Sequence, residues 1–338
     1  MAQHNTKKPL IIGYFALTIA MFGSIQSAYS DYQEFLRPQT IPAPQDNLLT
    51  PERIALGKAL FFDPRLSGTN TMSCSSCHQP SKGWASNALI EEMGTQSVMH
   101  TRSVPTLTNV AYQRHYGWDG RFSTLEQQAL NPIISADEMN QDTEKLVKEL
   151  YLIDGYRNMF IKAYPKEGIS SKTILKAIAS FERSIVSTES PFDRWIKGDE
   201  DAISKAAKQG FKLFKGKANC IACHHGFNFT DNGFHNTGMS GSGDDGRYAL
   251  VPAKILKGAF KTPTLRNVTL TAPYMHNGKY QTLEQVIEHY NRGGDLKTAI
   301  DPNIKPLFLT DQEKKDLIAF LKTLTDTATQ ITAPELIQ

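Results

Sequence analysis

The chain contains four cysteines, and all four lie in two copies of one short motif. Cys74 and Cys77 belong to CSSCH, and Cys220 and Cys223 belong to CIACH. The pattern C-x-x-C-H is typical of covalent attachment of a c-type haem. The two thiols form thioethers with the haem vinyl groups, and the adjacent histidine becomes an axial ligand of the iron. The sequence therefore predicts two covalently bound haems c.

The histidines that complete the two motifs are His78 and His224, the predicted proximal iron ligands. A redox C-x-x-C pair of the thioredoxin type would need a neighbouring βαβ pattern, which this sequence does not show. A zinc site made of four cysteines would not need a histidine directly after each pair. Two haems fit the motifs better, and they leave no cysteine for a disulfide.

A longer passage also occurs twice in the chain. Residues 105–132, PTLTNVAYQRHYGWDGRFSTLEQQALNP, and residues 263–290, PTLRNVTLTAPYMHNGKYQTLEQVIEHY, are identical at 11 of 28 positions, at an offset of 158 residues. One copy follows each haem motif. The sequence therefore predicts an internal duplication.

The segments around the duplicated passage have helical patterns, and strand-like alternation is scarce. The predicted helices are PERIALGKALFF, TEKLVKELY, SKTILKAIASFERSIVS, ISKAAKQGFKLF and KKDLIAFLKTLT. Thr50 and Pro51 form a helix-start signal, and Thr310 and Glu313 form a capping box. The Pro/Gln-rich residues 31–49 are predicted to cover the surface.

The predicted fold is mostly α, with two cytochrome c-like domains related by a pseudo-twofold internal repeat. Each domain holds one covalent haem. The stretch STESPFDRW marks the predicted boundary, which gives an N-terminal domain at residues 31–190 and a C-terminal domain at 191–338. A chain of 338 residues is long enough for two such domains.

The N-terminus has the order of a secretory signal: Lys7 and Lys8, an apolar run, and the small-residue stretch SAYS. The alternative, an uncleaved anchor, would need an apolar span of about 20 residues, longer than the run here. Residues 1–30 are therefore predicted to be a signal peptide, cleaved after Ser30, and the mature protein to be periplasmic rather than membrane-bound. Cleavage removes two lysines, so the formal charge falls from +3 to +1, which argues against a nucleic-acid partner.

The two copies of the passage end differently, in Pro132 and Tyr290. If the copies are structurally equivalent, these residues occupy matching places near the two irons. Proline offers no ligand atom, whereas tyrosine can bind iron through its phenolate oxygen. The mismatch predicts one haem left open for chemistry and one closed.

Other side chains remain candidates for the sixth ligand. His100 is a candidate at the first haem. At the second haem the alternatives to tyrosine are Met239, Met275, His276 and His289.

Both C-x-x-C-H motifs, YGWDGR, PTLRNVTLTAPYMHNG and TLEQVIEHYNRGG together resemble the bacterial dihaem cytochrome c peroxidases, and more closely their MauG-like branch. The likeness covers nearly all of the mature chain. By this resemblance Trp118 is the inter-haem tryptophan, Gln128 the pocket glutamine and Glu138 the catalytic glutamate. Pro132 matches the proline of the MauG-like open pocket. Tyr290 falls at the second-haem axial position, where ordinary dihaem peroxidases carry methionine and MauG-like proteins carry tyrosine.

The resemblance also implies a calcium ion between the haems. Its ligands would include the backbone carbonyls of Thr271 and Pro273. Ser103 stands where the peroxidases have an asparagine ligand, so the third protein ligand is left open. No residue matches the removable distal histidine of the ordinary peroxidases, unless His100 takes that place.

The predicted function is that of a peroxidase-like oxidoreductase, with hydrogen peroxide activated at the first haem. Glu138 would move the proton, Gln128 would position peroxide, and Trp118 would relay an electron between the haems. Because a phenolate at Tyr290 stabilises ferric and higher states, oxidation of a side chain on a periplasmic partner protein is the preferred reading. The alternative is reduction of hydrogen peroxide to water with electrons from a small cytochrome or cupredoxin. A non-catalytic dihaem electron carrier is the lesser alternative.

Overall fold

The computed structural model describes residues 32–86, 101–241, 243–296, 299–326 and 331–338, together with Met1. The rest of the predicted signal peptide lies outside these ranges, as does His100. Within the described residues, no helix has the length and apolar character required to span a bilayer. The predicted mostly helical class is confirmed, since the described strands are two pieces of two residues each.

The described ranges contain ten α-helices. They are α1 (Pro51–Phe62), α2 (Cys74–Cys77), α3 (Leu125–Ile134), α4 (Thr143–Tyr151), α5 (Asp154–Ala163), α6 (Ser171–Ser184), α7 (Pro191–Ile196), α8 (Lys205–Lys215), α9 (Leu283–Asn291) and α10 (Asp311–Lys322). The strands β1 (Phe234–His235) and β2 (Phe260–Lys261) pair antiparallel, with Phe234 opposite Lys261.

The helix-start signals read from the sequence act as predicted. The Thr50 hydroxyl accepts a hydrogen bond from the Arg53 backbone N–H, and Pro51 occupies the first turn of α1. Thr310 and Glu313 form a capping box at the start of α10. These local contacts satisfy backbone donors that have no partner inside the helix.

One surface prediction is wrong in part. Residues 31–49 were expected to cover the surface, but Phe35 and Asn47 are fully buried. The Asn47 amide donates to the Lys176 backbone carbonyl at 2.9 Å and accepts from the Tyr164 hydroxyl at 3.2 Å. The segment therefore packs against α6 and is hydrogen-bonded to it through Asn47. The Pro/Gln-rich composition does not predict this contact.

Each half of the chain has its own aromatic core. In the first half Phe61 of α1 packs on Phe181 of α6, with ring centroids 5.1 Å apart. In the second half Phe214 of α8 packs on Phe320 of α10 at 5.0 Å. The two pairs are the same contact made twice, as a duplicated fold requires.

The helices of each pair cross at a glycine. A Cβ atom added to Gly57 would lie 1.9 Å from the Ala177 carbonyl oxygen, and one added to Gly210 would lie 1.9 Å from the Asp316 carbonyl oxygen. No side chain fits at such a distance, so glycine is what allows α1 to contact α6 and α8 to contact α10 so closely.

The matched helices α6 and α10 differ at the residue after this aromatic contact. α6 has Glu182 there and α10 has Leu321, and both are buried. One carboxylate oxygen of Glu182, Oε2, has no hydrogen-bond partner among the described residues. Burial raises the pKa of Glu182 to about 8. The neighbouring Arg183 does not neutralise it, because the guanidinium pairs with Glu126 at 2.8 Å.

We expect Gly57→Ala to destabilise the protein by about 1–3 kcal/mol, because the added methyl group must push the Ala177 carbonyl away. The gain in helix propensity from Gly to Ala, about 1 kcal/mol, offsets only part of this cost. Urea unfolding of the haem-loaded protein measures the change. Lys58→Ala, on the same helix but away from the crossing, is the control. An unfolding midpoint equal to that of the parent would show that the crossing does not depend on glycine.

A second prediction concerns pH. Since the pKa of Glu182 is about 8 in the folded protein and 4.5 in the reference state, the folded protein binds more protons between these values. The stabilisation that protonated Glu182 contributes is therefore lost as pH rises through this window. The free energy of unfolding falls by at most about 1.4 kcal/mol per pH unit. Glu182→Gln should remove this slope, whereas exposed Glu144→Gln should keep it. Unfolding midpoints measured between pH 4.5 and 8 test this prediction. If the midpoints of Glu182→Gln and the parent change with pH in the same way, Glu182 is not the group responsible.

Candidate functional site

Both C-x-x-C-H motifs face one cavity of about 900 Å³. Its lining includes Cys74, Cys77, His78, Cys220, Cys223 and His224. The fold thus places the two predicted haem sites, 146 residues apart in the chain by the numbers of their histidines, around a shared space.

The two motif histidines are oriented in the same way. His78 Nδ1 lies 3.0 Å from the Trp84 carbonyl oxygen, and His224 Nδ1 lies 2.8 Å from the Phe229 carbonyl oxygen. A carbonyl only accepts, so Nδ1 carries the proton and Nε2 keeps a free lone pair. Burial lowers the pKa of both histidines, which favours the neutral ring. A neutral imidazole anchored through Nδ1 is the arrangement that a metal ligand needs.

The residues that anchor these histidines have unusual backbone conformations. Trp84 has φ +62° and Phe229 has φ +49°, in the left-handed region that side chains other than glycine rarely adopt. Both are buried. The conformation turns each carbonyl toward its histidine, and the packing of the two aromatic rings offsets its energetic cost.

The cysteines are held ready for attachment by local structure. In each motif the histidine backbone N–H donates to the carbonyl of the first cysteine at 2.9 Å, which curls the intervening residues into a turn. All four sulfurs are free. Burial raises the pKa of Cys77 to about 11 and of Cys220 to about 12. The Cys77 and Cys220 thiols therefore line the cavity as neutral groups.

The structure places Pro132 and Tyr290 at equivalent positions. α3 follows Thr124 and α9 follows Thr282, and each threonine hydroxyl accepts a hydrogen bond from the backbone N–H three residues later. Pro132 and Tyr290 are then the eighth residue of their helices, and both line the cavity. Gln128 lines the cavity four residues before Pro132, on the same face of α3.

Glu138 reaches the cavity from the turn after α3. Its backbone N–H donates to the Ser135 carbonyl at 3.1 Å, and the next residue, Met139, donates to the Pro132 carbonyl at 3.0 Å. The turn is thereby folded back against the helix end. Glu138, Gln128 and Pro132 together line the part of the cavity that belongs to the first half.

Tyr290 presents a free hydroxyl to the cavity. Within the described ranges, that hydroxyl makes no hydrogen bond. Burial raises the pKa of Tyr290, so ionisation of the phenol needs a positive partner such as a metal ion.

The alternatives to Tyr290 are placed differently. His289 is fully buried with both ring nitrogens engaged, Nε2 at 2.8 Å from the Thr237 carbonyl oxygen and Nδ1 at 3.2 Å from the Tyr280 hydroxyl. Met239 does not line the cavity, whereas Met275 and His276 do.

Trp118 lies where the two halves join. Its indole N–H donates to the Ser103 carbonyl at 2.7 Å. At the 158-residue offset Trp118 matches His276 and Ser103 matches Lys261. The backbone bonds obey the same symmetry: Ser103 N–H donates to the His276 carbonyl at 2.7 Å, and Lys261 N–H donates to the Trp118 carbonyl at 2.8 Å. All four residues line the cavity.

An ion-pair network holds the loop that carries Trp118. The adjacent Asp119 is fully buried, between Arg102 at 2.7 Å and Arg121 at 2.6 Å. Burial opposes ionisation of Asp119, but hydrogen bonds from the two guanidinium groups hold its pKa below the ordinary value. Arg102 also pairs with Asp244 of the second half at 2.7 Å. The network therefore ties the tryptophan loop across the junction.

The residues named for calcium also lie on the cavity wall. Thr271 and Pro273 line it. In the residues that the structure describes, neither backbone carbonyl accepts a hydrogen bond, so both retain lone pairs for a cation. The Ser103 hydroxyl instead donates to the Met275 carbonyl at 2.8 Å, which leaves the third protein ligand unassigned.

Cys223, Asp231 and His235 lie close enough to hold a metal ion. Thioether formation at Cys223 would remove that sulfur as a ligand. His235 has other partners: Nε2 lies 2.7 Å from Asp231 and Nδ1 lies 2.6 Å from Asp301. Both ring nitrogens are thus engaged by carboxylates, which raise the pKa of His235 and make the cluster an ion-paired group.

Three residues on the cavity wall were missed in the sequence: Lys261, His276 as a junction residue, and Glu182. The signal for the first two was present, because the 158-residue offset sets Lys261 against Ser103 and His276 against Trp118. Glu182 lies outside the repeated passage, and its position became comparable with Leu321 only through the packing of α6 and α10.

Comparison with known families agrees with this architecture. Residues 51–201 match the family model described as di-haem cytochrome c peroxidase, and residues 207–325 match that described as cytochrome c. Two cytochrome c units imply two haems c.

The chain is similar to curated proteins over nearly its whole length. It is 42% identical to the methylamine utilization protein MauG of Methylorubrum extorquens, covering 96% of this chain and 94% of that protein. Identity to MauG of Methylophilus methylotrophus is 44%, covering 89% and 91%. Identity to the cytochrome c551 peroxidase of Nitrosomonas europaea is 33%, covering 94% and 92%.

A solved structure shares the fold. The crystal structure of a MauG-like protein associated with microbial copper homeostasis superposes with a TM-score of 0.82 at 32% identity, covering 90% of this chain and 97% of that one. The duplicated haem motifs, the shared cavity and these relatives lead to one conclusion: the chain belongs to the MauG and dihaem cytochrome c peroxidase family and is a dihaem oxidoreductase.

Proposed function

We propose that the protein activates hydrogen peroxide at the haem attached to Cys74 and Cys77, and uses the oxidising equivalents to modify a side chain of a partner protein. The observation that carries this proposal is the matched pair Pro132 and Tyr290, on the same position of equivalent helices and facing one cavity. Among the described residues, Pro132 offers no ligand atom at its position, whereas Tyr290 offers an oxygen donor at the matching one.

A haem iron bound by one histidine supplies a coordination site at which peroxide can be bound and its O–O bond cleaved. The protein must move a proton between the two peroxide oxygens. We assign this transfer to the Glu138 carboxyl group, which lines the cavity near Pro132. The Gln128 amide, on the same wall, can donate a hydrogen bond that orients peroxide or water. Pro132 keeps the space open because its ring offers no donor or ligand atom.

Tyr290 determines how the second haem is used. A phenolate oxygen brings negative charge to the iron and stabilises its oxidised states, whereas methionine at the same position raises the reduction potential. The free hydroxyl facing the cavity supports Tyr290 as the ligand, and the engaged ring nitrogens of His289 argue against that alternative. We infer that the second haem shares the oxidising equivalents produced at the first.

Trp118 is the proposed path between the two haems. It belongs to the cavity wall at the junction, and its indole N–H donates to the Ser103 carbonyl. That hydrogen bond fixes the plane of the ring and can stabilise positive charge on the indole during electron transfer. The buried ion pairs of Asp119 hold the loop in place.

The predicted export signal and the relatives support a proposal for the partner and the location. We propose that residues 1–30 direct the chain to the periplasm and that the substrate is a protein there. Two relatives at 42% and 44% identity are named methylamine utilization protein MauG, which supports the MauG-like alternative for this chain. We also propose a calcium ion between the haems, bound partly by the Thr271 and Pro273 carbonyls.

The second candidate function is reduction of hydrogen peroxide to water with electrons from a small cytochrome or cupredoxin. The cytochrome c551 peroxidase at 33% identity supports it. Both functions need the open first haem and Glu138, and they differ in what the second haem does. Substitution of Tyr290 therefore separates them.

We expect Glu138→Gln to slow the reaction of the ferric protein with peroxide by about 10²-fold or more, because the amide cannot carry the proton. Stopped-flow absorption of the Soret band gives the rate. Asp137→Asn, at the exposed neighbouring residue, is the matched control and should react at the parent rate. Equal rates for Glu138→Gln and the parent would exclude Glu138 from the proton transfer. If the parent protein does not react with peroxide, the non-catalytic electron carrier is favoured.

We expect Tyr290→Met to raise the reduction potential of the second haem and to abolish the spectral response of that haem to peroxide. Peroxide reduction with a small cytochrome as donor should persist. Potentiometric titration and rapid-scan absorption after peroxide addition measure the two effects. Tyr280→Phe, which keeps Tyr290 and changes a neighbouring phenol, is the control. An unaltered second-haem potential in Tyr290→Met would contradict Tyr290 as the ligand.

A further inference from the structure

Lys261 is a charged side chain buried at the junction of the two halves. Its side chain lines the cavity, and only 7% of the residue is exposed. Among the described residues, no carboxylate forms an ion pair with its ammonium group and no acceptor takes a hydrogen bond from it. A buried ammonium without a partner is costly, so native proteins pair such groups.

The neighbouring carboxylates are already engaged. Asp231 is the negative group that acts most on Lys261 electrostatically, but its side chain is hydrogen-bonded to His235 at 2.7 Å. Asp119 and Asp244, which also line the cavity, are paired with Arg102. Among the described residues, none of these three carboxylates is therefore left to form an ion pair with Lys261.

The backbone of Lys261 is held firmly. It belongs to β2, opposite Phe234 of β1, and its N–H donates to the Trp118 carbonyl at 2.8 Å. The next residue, Thr262, donates its N–H to the Gly233 carbonyl at 3.0 Å and accepts at its own carbonyl from Thr230 at 2.7 Å. The backbone that carries the Lys261 side chain is thus held by contacts from both halves.

Lys261 belongs to the half of the chain that carries the second haem motif. The segment that holds β2 begins directly after CIACH, and the Asp231 backbone N–H in it donates to the Cys223 carbonyl at 2.8 Å. A haem c carries two propionate carboxylates, which are the anions that this cavity would receive. We propose that the Lys261 ammonium is the counter-ion of a propionate of the haem attached at Cys220 and Cys223.

The repeat supports a role specific to that haem. The position that matches Lys261 in the first half is Ser103, whose hydroxyl donates to the Met275 carbonyl instead. At this pair of matched positions, the second half has a buried cation and the first half has a neutral hydroxyl group. Burial lowers the pKa of Lys261 to about 8, and a carboxylate partner would keep the amine protonated.

The inference depends on the covalent haem at the second motif but not on the proposed Glu138 chemistry or Tyr290 ligand. A redox titration therefore tests it even in a protein that does not react with peroxide. Tyr290→Met, made separately, marks which titration step belongs to the second haem. If Tyr290→Met moves neither step, the proposed ligand fails, and a redox titration of the intact protein monitored by electron paramagnetic resonance, which separates haems with different axial ligation, assigns the steps instead.

The test compares four variants of the haem-loaded protein. Lys261→Met and Lys261→Gln remove the charge, Lys261→Arg retains it, and Lys254→Met removes an exposed charge outside the cavity lining. Under mildly alkaline conditions, where an unpaired propionate stays ionised, we expect both neutral variants to lower the second-haem midpoint potential. The reason is that a nearby cation stabilises the reduced iron. Lys261→Arg should restore most of the potential, and Lys254→Met should leave it unchanged.

Resonance Raman spectra provide a second readout. The propionate-bending band of the second haem should shift in Lys261→Met and Lys261→Gln but not in Lys254→Met. The proposal would be overturned if either the second-haem midpoint potential or the propionate-bending band stayed unchanged in Lys261→Met and Lys261→Gln. An equal effect in Lys254→Met, a potential in Lys261→Arg as low as in Lys261→Met, or a shift confined to the haem at Cys74 and Cys77 would also overturn it.

Discussion

Two backbone hydrogen bonds across the junction of the halves set the geometry on which the site depends. The Ser103 N–H donates to the His276 carbonyl, and the Lys261 N–H donates to the Trp118 carbonyl. The bonds are symmetry equivalents, so they fix the pseudo-twofold relation directly. Because the halves are locked at this point, both haem motifs face one cavity and not two separate clefts. Backbone bonds specify this register whatever side chains the matched positions carry.

The side chains at the matched positions can therefore differ between the two halves without a change in the backbone pairing. The cavity wall includes four pairs of equivalent positions at which the two halves carry different side chains. The pairs are Pro132 and Tyr290, Trp118 and His276, Ser103 and Lys261, and Glu182 and Leu321. Because the backbone is repeated but the side chains facing the cavity differ, the two haem sites have different surroundings within one duplicated fold. The division of labour proposed for the two haems follows from these differences.

The local features of the fold could be predicted well from the sequence, for a physical reason. The Thr50 cap, the Thr310 capping box and the helix at residues 143–151 all depend on interactions within a few residues. The burial of Asn47 could not be predicted, because its partners Lys176 and Tyr164 lie more than 100 residues away. A polar residue in a proline-rich segment gives no local sign that a distant helix will enclose it.

The sequence by itself determined the covalent chemistry, the duplication and the mismatch between Pro132 and Tyr290. A C-x-x-C-H motif and a repeated passage are complete within a short stretch of chain. Only the tertiary structure decided which side chains face the shared cavity. It turned Tyr290 toward the cavity and engaged both nitrogens of His289 elsewhere. It also buried Lys261, and it left Glu182 Oε2 without a hydrogen-bond partner among the described residues. Burial and orientation arise when distant segments pack together, and no short window of sequence contains that information.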